Sequence, residues 1–155
     1  DDFVGKSSFH RVLWDDAENG NSSTKLKADK DIKRVVICTG KVYFDLLSER
    51  DERGINDIYL MRVEQLYPVA NIALKKEMKR FINAEIVWCQ EEPKNQGAWS
   101  FINPHIERNL IEIDAKHTRP KYIGRKSAAA PATGLASTHK KEQMMLVDQA
   151  LTLKG

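Results

Sequence analysis

The feature that most constrains this chain is a repeated pairing of two rhythms. A short unbroken apolar run is followed by a stretch whose apolar residues recur every three or four positions. "RVVICTG" (34–40) is such a run, closed by glycine, and "KVYFDLLSERDERG" (41–54) follows it. Unbroken runs of this length suit strands buried on both faces, as in parallel sheets covered by helices. In the second stretch Val42 and Leu46, with Tyr43 and Leu47, fall at i, i+4, and Gly54 supplies a helix stop. The same couplet returns in "DIYLMRVEQL" (57–66), closed by Tyr67-Pro68, with a helix from about Val69 that aligns Leu74, Met78, Phe81 and Ile82. It returns again in "EIVWCQ" (85–90), with a helix near Gly97 that aligns Ala98, Phe101, Ile102, His105 and Ile106. Pro104 lies inside that helix, so a kink or a late start is expected. A last couplet joins "PKYIGR" (120–125), the small-residue loop "KSAAAPATGLAS" (126–137) and a helix from His139. Thr138 is its expected cap, and Met144, Val147 and Leu151 face inward.

Strands alternating with helices predict an α/β fold: a mainly parallel sheet with helices on both faces. "FHRVLW" (9–14) reads as a lone strand with no helix after it, suited to pair antiparallel at one edge. Residues 15–31 are polar and carry Asn, Gly and Ser together, so they read as a flexible loop.

At 155 residues there is room for one domain with a proper core. No apolar run approaches the roughly 20 residues needed to span a bilayer, so no membrane partner is expected. The net charge of +3 is mild and shows no clustered basic face of the kind nucleic acid requires. The two cysteines, Cys38 and Cys89, sit in apolar runs, where cysteine behaves as a small hydrophobe. They form no CxxC or Cys/His pattern, so no metal site is expected. The chain begins Asp1-Asp2-Phe3 and its first methionine is Met61. No signal or transit segment is visible. The expectation is a processed product or a piece of something longer.

Candidate sites are few. "CTGK" (38–41) lacks the earlier glycine and the following Ser/Thr of a phosphate loop. It reads as a tight strand-to-helix turn whose helix N-terminus remains a modest anion site. His10, His105, His117 and His139 have no ligand spacing, and no nucleophile elbow or acid–base set is visible. No catalytic residue is assigned. The stretch "QEEPKNQGAW" (90–99) places two adjacent carboxylates after an apolar strand, where ligands and partners of open α/β sheets gather. One reading is a plain connection with solvated acids, Pro93 setting the turn and Asn95 capping the next helix. The other is a docking edge made of Glu91, Glu92, Asn95, Gln96, Gln90 and an exposed Trp99. "GRKSAAAPATG" (124–134) is the second candidate. Arg125 and Lys126 follow a strand end, and an arginine there suits phosphate recognition as well as a surface loop does.

Taken together, "VVICTGKVYFDLL", "RVEQLYP", "VWCQEEPKNQGAW" and "YIGRKSAAAPATG", then His139 and a helix, occur in an order and spacing that resemble one family. It is the C-terminal domain of thiamine-diphosphate-dependent 2-oxoglutarate dehydrogenases, and the likeness covers about residues 33–152. The polar loop 15–31 is longer than the family usually carries there. The resemblance implies a transketolase C-terminal fold, a five-stranded sheet with one antiparallel edge strand. Residues 1–8 would be a linker from a preceding domain and 9–155 the domain itself. It implies a homodimeric parent enzyme of the tricarboxylic acid cycle. That enzyme decarboxylates 2-oxoglutarate and passes a succinyl group to the lipoyl arm of the dihydrolipoyl succinyltransferase component. Thiamine diphosphate and Mg²⁺ would be held by the preceding domains and none by this segment, which alone would be inactive. An effector such as acetyl-CoA or a nucleotide would meet Arg125, Lys126 and Ser127, with Lys41 assisting. The location would be cytoplasmic in a bacterium and the mitochondrial matrix in a eukaryote. An apolar patch near Trp99 and Phe101 is expected, with self-association of the isolated chain. The rival reading is a free-standing α/β module for a nucleotide or other anion.

Overall fold

The computed structural model describes residues 12–64, 71–125 and 136–153. The proposed linker, Lys126, Ser127 and most of the small-residue loop lie outside these residues. A five-stranded sheet forms the centre. In chain order its strands are β1 (Val12–Leu13), β2 (Arg34–Cys38), β3 (Ile58–Val63), β4 (Glu85–Pro93) and β5 (Lys121–Arg125), and in space they run β1-β3-β2-β4-β5. β2 pairs in parallel with β3 and β4, and β4 with β5; β1 pairs antiparallel with β3 at one edge. This is the expected mainly parallel α/β sheet.

Alternation along the strands divides the core. Val35, Ile37, Met61, Ile86 and Trp88 face α2 (Asn71–Arg80) and α3 (Trp99–Glu112), meeting Leu74, Met78, Phe81, Ile102, Ile106 and Leu110. Val36, Cys38, Leu60, Val87 and Cys89 face α1 (Val42–Arg53) and α4 (Ala136–Ala150), meeting Val42, Tyr43, Leu46, Leu146, Val147 and Ala150. Both faces are covered, which is why the strands read as unbroken apolar runs. α1 ends at Gly54, whose φ of 65° is the left-handed conformation glycine adopts without steric cost.

The last helix is tied to the first parallel strand. Buried Arg34 on β2 donates through Nε to Glu85 Oε2 (2.7 Å). Its Nη1 donates to the carbonyls of Gln149, Ala150 and Thr152 at the end of α4 (3.2, 2.8 and 3.3 Å).

Several local expectations are corrected. Residues 15–31 are pinned rather than loose. Asp15 is fully buried, and both its carboxylate oxygens accept from the equally buried Arg50. The same carboxylate accepts from the backbone N–H of Ala17 (2.9 Å) and Leu60 (2.7 Å). Ser22 and Thr24 donate to Asp51 (2.7 Å each), and Asp16 N–H donates to Tyr43 Oη (2.9 Å). A composition of Asn, Gly and Ser predicts turns, but these hydroxyls and carboxylates find fixed partners on α1 and β3.

α3 runs through Pro104 and starts at Trp99, with Ala98 as its N-cap, so Asn95 does not cap it. α4 begins at Ala136, which places Thr138 inside the helix and not at its cap. Met144 is 64% exposed and so does not face inward, and Ile82, 37% exposed, lies in the turn after α2 ends at Arg80. Trp99 and Phe101 are half-buried, so the expected patch is not there. Among the described residues the exposed large apolar side chains are Trp14, Phe44, Ile72, Ile82, Ile111, Met144 and Met145.

Candidate functional site

α1 leaves β2 on one face of the sheet, and α3 leaves β4 on the other. Such a reversal opens a crevice between the carboxyl ends of neighbouring strands. Lys41 and Glu91 flank that crevice. Lys41 is exposed at the start of α1, just after Gly40, whose φ is 79°.

The rim beyond β4 is built around Gln90. The sequence suggests an outward-facing amide there, but Gln90 is buried and belongs to the interior. Trp88 Nε1 donates to Gln90 Oε1 (2.8 Å), and Gln90 Nε2 donates to the carbonyls of Glu92 (3.1 Å) and Pro93 (2.9 Å). A buried amide with its oxygen and nitrogen both paired fixes the backbone that it bonds. The strand therefore does not stop at Gln90: β4 continues to Pro93, with a register irregularity between Gln90 and Pro93. Glu91 and Glu92 lie within the strand, not after it. Two glycines make room. A Cβ at Gly97 would sit 2.7 Å from Gln90 Oε1, and one at Gly124 would sit 2.7 Å from the Gln90 carbonyl.

β5 closes the rim. Tyr122 Oη donates to the Arg125 carbonyl (2.5 Å), and the ring of half-buried Trp99 packs on Tyr122 with centroids 5.5 Å apart. Burial pushes the Tyr122 phenol up to about 12. Arg125 donates to the Glu91 carbonyl (2.6 Å), the His139 carbonyl (3.3 Å) and Gln143 Oε1 (3.2 Å), and its Nε lies 3.1 Å from Glu142 Oε1. Gln143 in turn donates to Asp45 on α1 (2.9 Å). Arg125 thus staples β4, β5 and α4 together. Of the expected effector residues it is engaged within the protein, Lys41 is exposed, and Lys126 and Ser127 lie outside the described residues.

Of the expected docking residues, Glu92 and Asn95 are exposed, Glu91, Gln96 and Trp99 partly so. Gln96 N–H donates to the Pro93 carbonyl (2.9 Å) and closes the turn. Tyr122 escaped the sequence reading; its signal is an aromatic two residues before a glycine in a short strand.

Below the rim, Cys38 and Cys89 are register partners on adjacent strands, buried and unbonded to each other. Burial pushes Cys89 up to about 12 and, with Cys89 adding to the effect, raises Cys38 as well. At neutral pH both are thiols, poor nucleophiles and poor metal ligands. Among the described residues no three His, Cys, Asp or Glu side chains converge as a metal-holding group, and no helix is long and apolar enough to cross a membrane. The residues of this rim hold a shape and present charge.

The chain is similar to proteins described as the 2-oxoglutarate dehydrogenase E1 component. In Brucella anthropi, Brucella ovis and Brucella canis the identity is 58% over 148 residues. That is 95% of this chain but 15% of each relative, so the chain spans about a seventh of their length. In each of them this region is part of a far longer polypeptide, which gives no support to a free-standing module. The 2-oxoglutarate dehydrogenase C-terminal family itself matches residues 1–151, so on a match across nearly its whole length the chain belongs to that family.

Proposed function

We propose that this chain is the supporting C-terminal lobe of a 2-oxoglutarate dehydrogenase, without catalytic residues of its own. Its rim at residues 91–99 docks against the preceding domains or the second subunit of a homodimer. The decarboxylation of 2-oxoglutarate, with thiamine diphosphate and Mg²⁺, belongs to those domains, as does succinyl transfer to the succinyltransferase component. Such a role goes with the bacterial cytoplasm or the mitochondrial matrix, where the tricarboxylic acid cycle runs.

The observation that carries this reading is the division of labour at the rim. Gln90, Tyr122 and Arg125 spend their polar groups inward, and the turn they hold presents Glu92 and Asn95 outward. A rigid turn with outward carboxylates is preorganised for a polar or basic partner and loses little entropy on docking. The test is Glu92→Lys in the full-length enzyme. It is expected to weaken dimer association by about tenfold or more, or to lower turnover in parallel, through charge reversal at a docked carboxylate. Unchanged sedimentation and turnover would remove the reading.

A further inference from the structure

Asn19-Gly20 is a pair that neither the core nor the rim uses. Asn19 is the one asparagine of the chain followed by glycine. It ends a short 3₁₀ turn, Asp16–Asn19, and Gly20 follows with φ 80°. We propose that this pair is a self-modification site, at which Asn19 loses its amide nitrogen as ammonia and becomes aspartate or isoaspartate. The chemistry needs an asparagine side chain free to turn, a following backbone nitrogen without steric cover, and water. Asn19, Gly20 and Asn21 are exposed, and among the described residues the Asn19 amide has no hydrogen-bond partner. A Cβ placed on Gly20 would meet nothing within 4 Å apart from its chain neighbours. The docking role of the rim does not enter.

The step balances with water alone. Base takes the proton of the Gly20 N–H, and that nitrogen attacks Asn19 Cγ. The bond from Cγ to the side-chain nitrogen breaks, and ammonia leaves carrying the returned proton. A five-membered imide results. Water then opens it at Cγ, giving aspartate, or at the Asn19 backbone carbonyl, giving isoaspartate. One water is taken up and one ammonia released, with no oxidation. Asparagine is a thermolabile side chain, and a following glycine leaves the attacking nitrogen uncrowded.

The structure sets both the barrier and the consequence. The N–H groups of Gly20 and Asn21 both donate to the Asp16 carbonyl, the second at 3.0 Å, so this turn must open before attack. The opening stays local. Arg80 holds both oxygens of Glu18 on one side (2.8 Å each), and Asp51 holds Ser22 on the other (2.7 Å). Between these anchors the exposed residues 19–21 fray without unfolding the core. Isoaspartate routes the backbone through Cβ and Cγ, which adds one carbon to the path between the anchors. The two bonds to the Asp16 carbonyl then lose their register, and the pinned stretch 15–31 is loosened at its middle.

Peptide mass spectrometry of the full-length protein, aged at neutral to mildly alkaline pH, tests the site. Oxygen in place of NH at residue 19 is expected to accumulate about tenfold faster than at Asn21 or Asn56, whose following residues carry side chains. The rate should rise in step with hydroxide, and electron-transfer fragmentation should show isoaspartate. Gly20→Ala should slow the reaction about tenfold, and Asn19→Gln, which leaves the glycine in place, should suppress it. Trypsin should cleave after Lys25 and Lys27 several-fold faster in aged protein than in fresh. Asn19→Asp, which carries the charge without the added carbon, should be cleaved at the fresh rate. The proposal is overturned if Asn19 reacts no faster than Asn21, if the rate ignores pH or Gly20→Ala, or if aged and fresh protein are cleaved alike. It is overturned equally if Asn19→Asp is cleaved as fast as aged protein, which would make charge and not backbone length the cause.

Discussion

Arg50 sits where an apolar residue belongs. Val42, Leu46 and Arg50 recur at i, i+4 and i+8 on the inward stripe of α1, and all are buried. That position is the one local sign that a buried charge is present. Its partner, Asp15, lies 35 residues upstream in a stretch whose composition resembles loop, and nothing in the local pattern joins the two. The same holds for Asn109, an amide on the stripe of Ile102, Ile106 and Leu110. A polar residue in an apolar row is readable; what satisfies it is set by tertiary packing. Breaking a buried pair strands the remaining charge, and Asp15→Asn is expected to destabilise the chain by about 3–5 kcal/mol in urea unfolding. Replacing both partners together, Asp15→Leu with Arg50→Met, is expected to cost far less, because no charge is then left unpaired. Equal losses in the single and double variants would show that packing of the two side chains, not their pairing, is what matters.

At the scale of elements, the apolar runs and helical stripes located four strands and four helices within a few residues, because both faces of the sheet are covered and periodicity is then unambiguous. The ends were harder to read. β4 was expected to stop at Gln90 because an amide and two acids look like solvent. Yet Trp88, two residues back and so on the same side of the strand, supplies the N–H that draws the amide inward. Asn95 has the chemistry of a cap but lies three residues before the actual N-cap, Ala98. The extension of β4 also depends on Gly124, where β5 passes close to the Gln90 carbonyl. Gly124→Ala would force a Cβ to 2.7 Å from that backbone oxygen. Overpacking of this kind is expected to cost about 1–3 kcal/mol. Hydrogen exchange should show the loss concentrated in β4 and β5. A melting temperature equal to that of the unsubstituted chain would mean that the strands part at no cost.

The molecule as a whole has two well-filled faces and an uneven surface. Which apolar residues stay outside was not legible, because a stripe's edge residues are buried or not according to what lies beyond them. Met144 and Met145, adjacent on α4, are 64% and 63% exposed. Neighbouring exposed apolar groups favour association, so sedimentation of the isolated chain is expected to show concentration-dependent self-association. Met144→Gln with Met145→Gln should suppress it, and a wild-type chain that stays monomeric at high concentration would contradict the expectation. The arginine on β2 has a different kind of consequence. A nascent polypeptide leaves the ribosome N-terminus first and folds as it emerges. Arg34 and Glu85, 51 residues apart, can meet early in synthesis, but the carbonyls of Gln149, Ala150 and Thr152 lie 115 to 118 residues beyond Arg34. The guanidinium keeps only part of its set of acceptors until then, so the first parallel strand gains its full complement of hydrogen bonds only after α4 has left the ribosome.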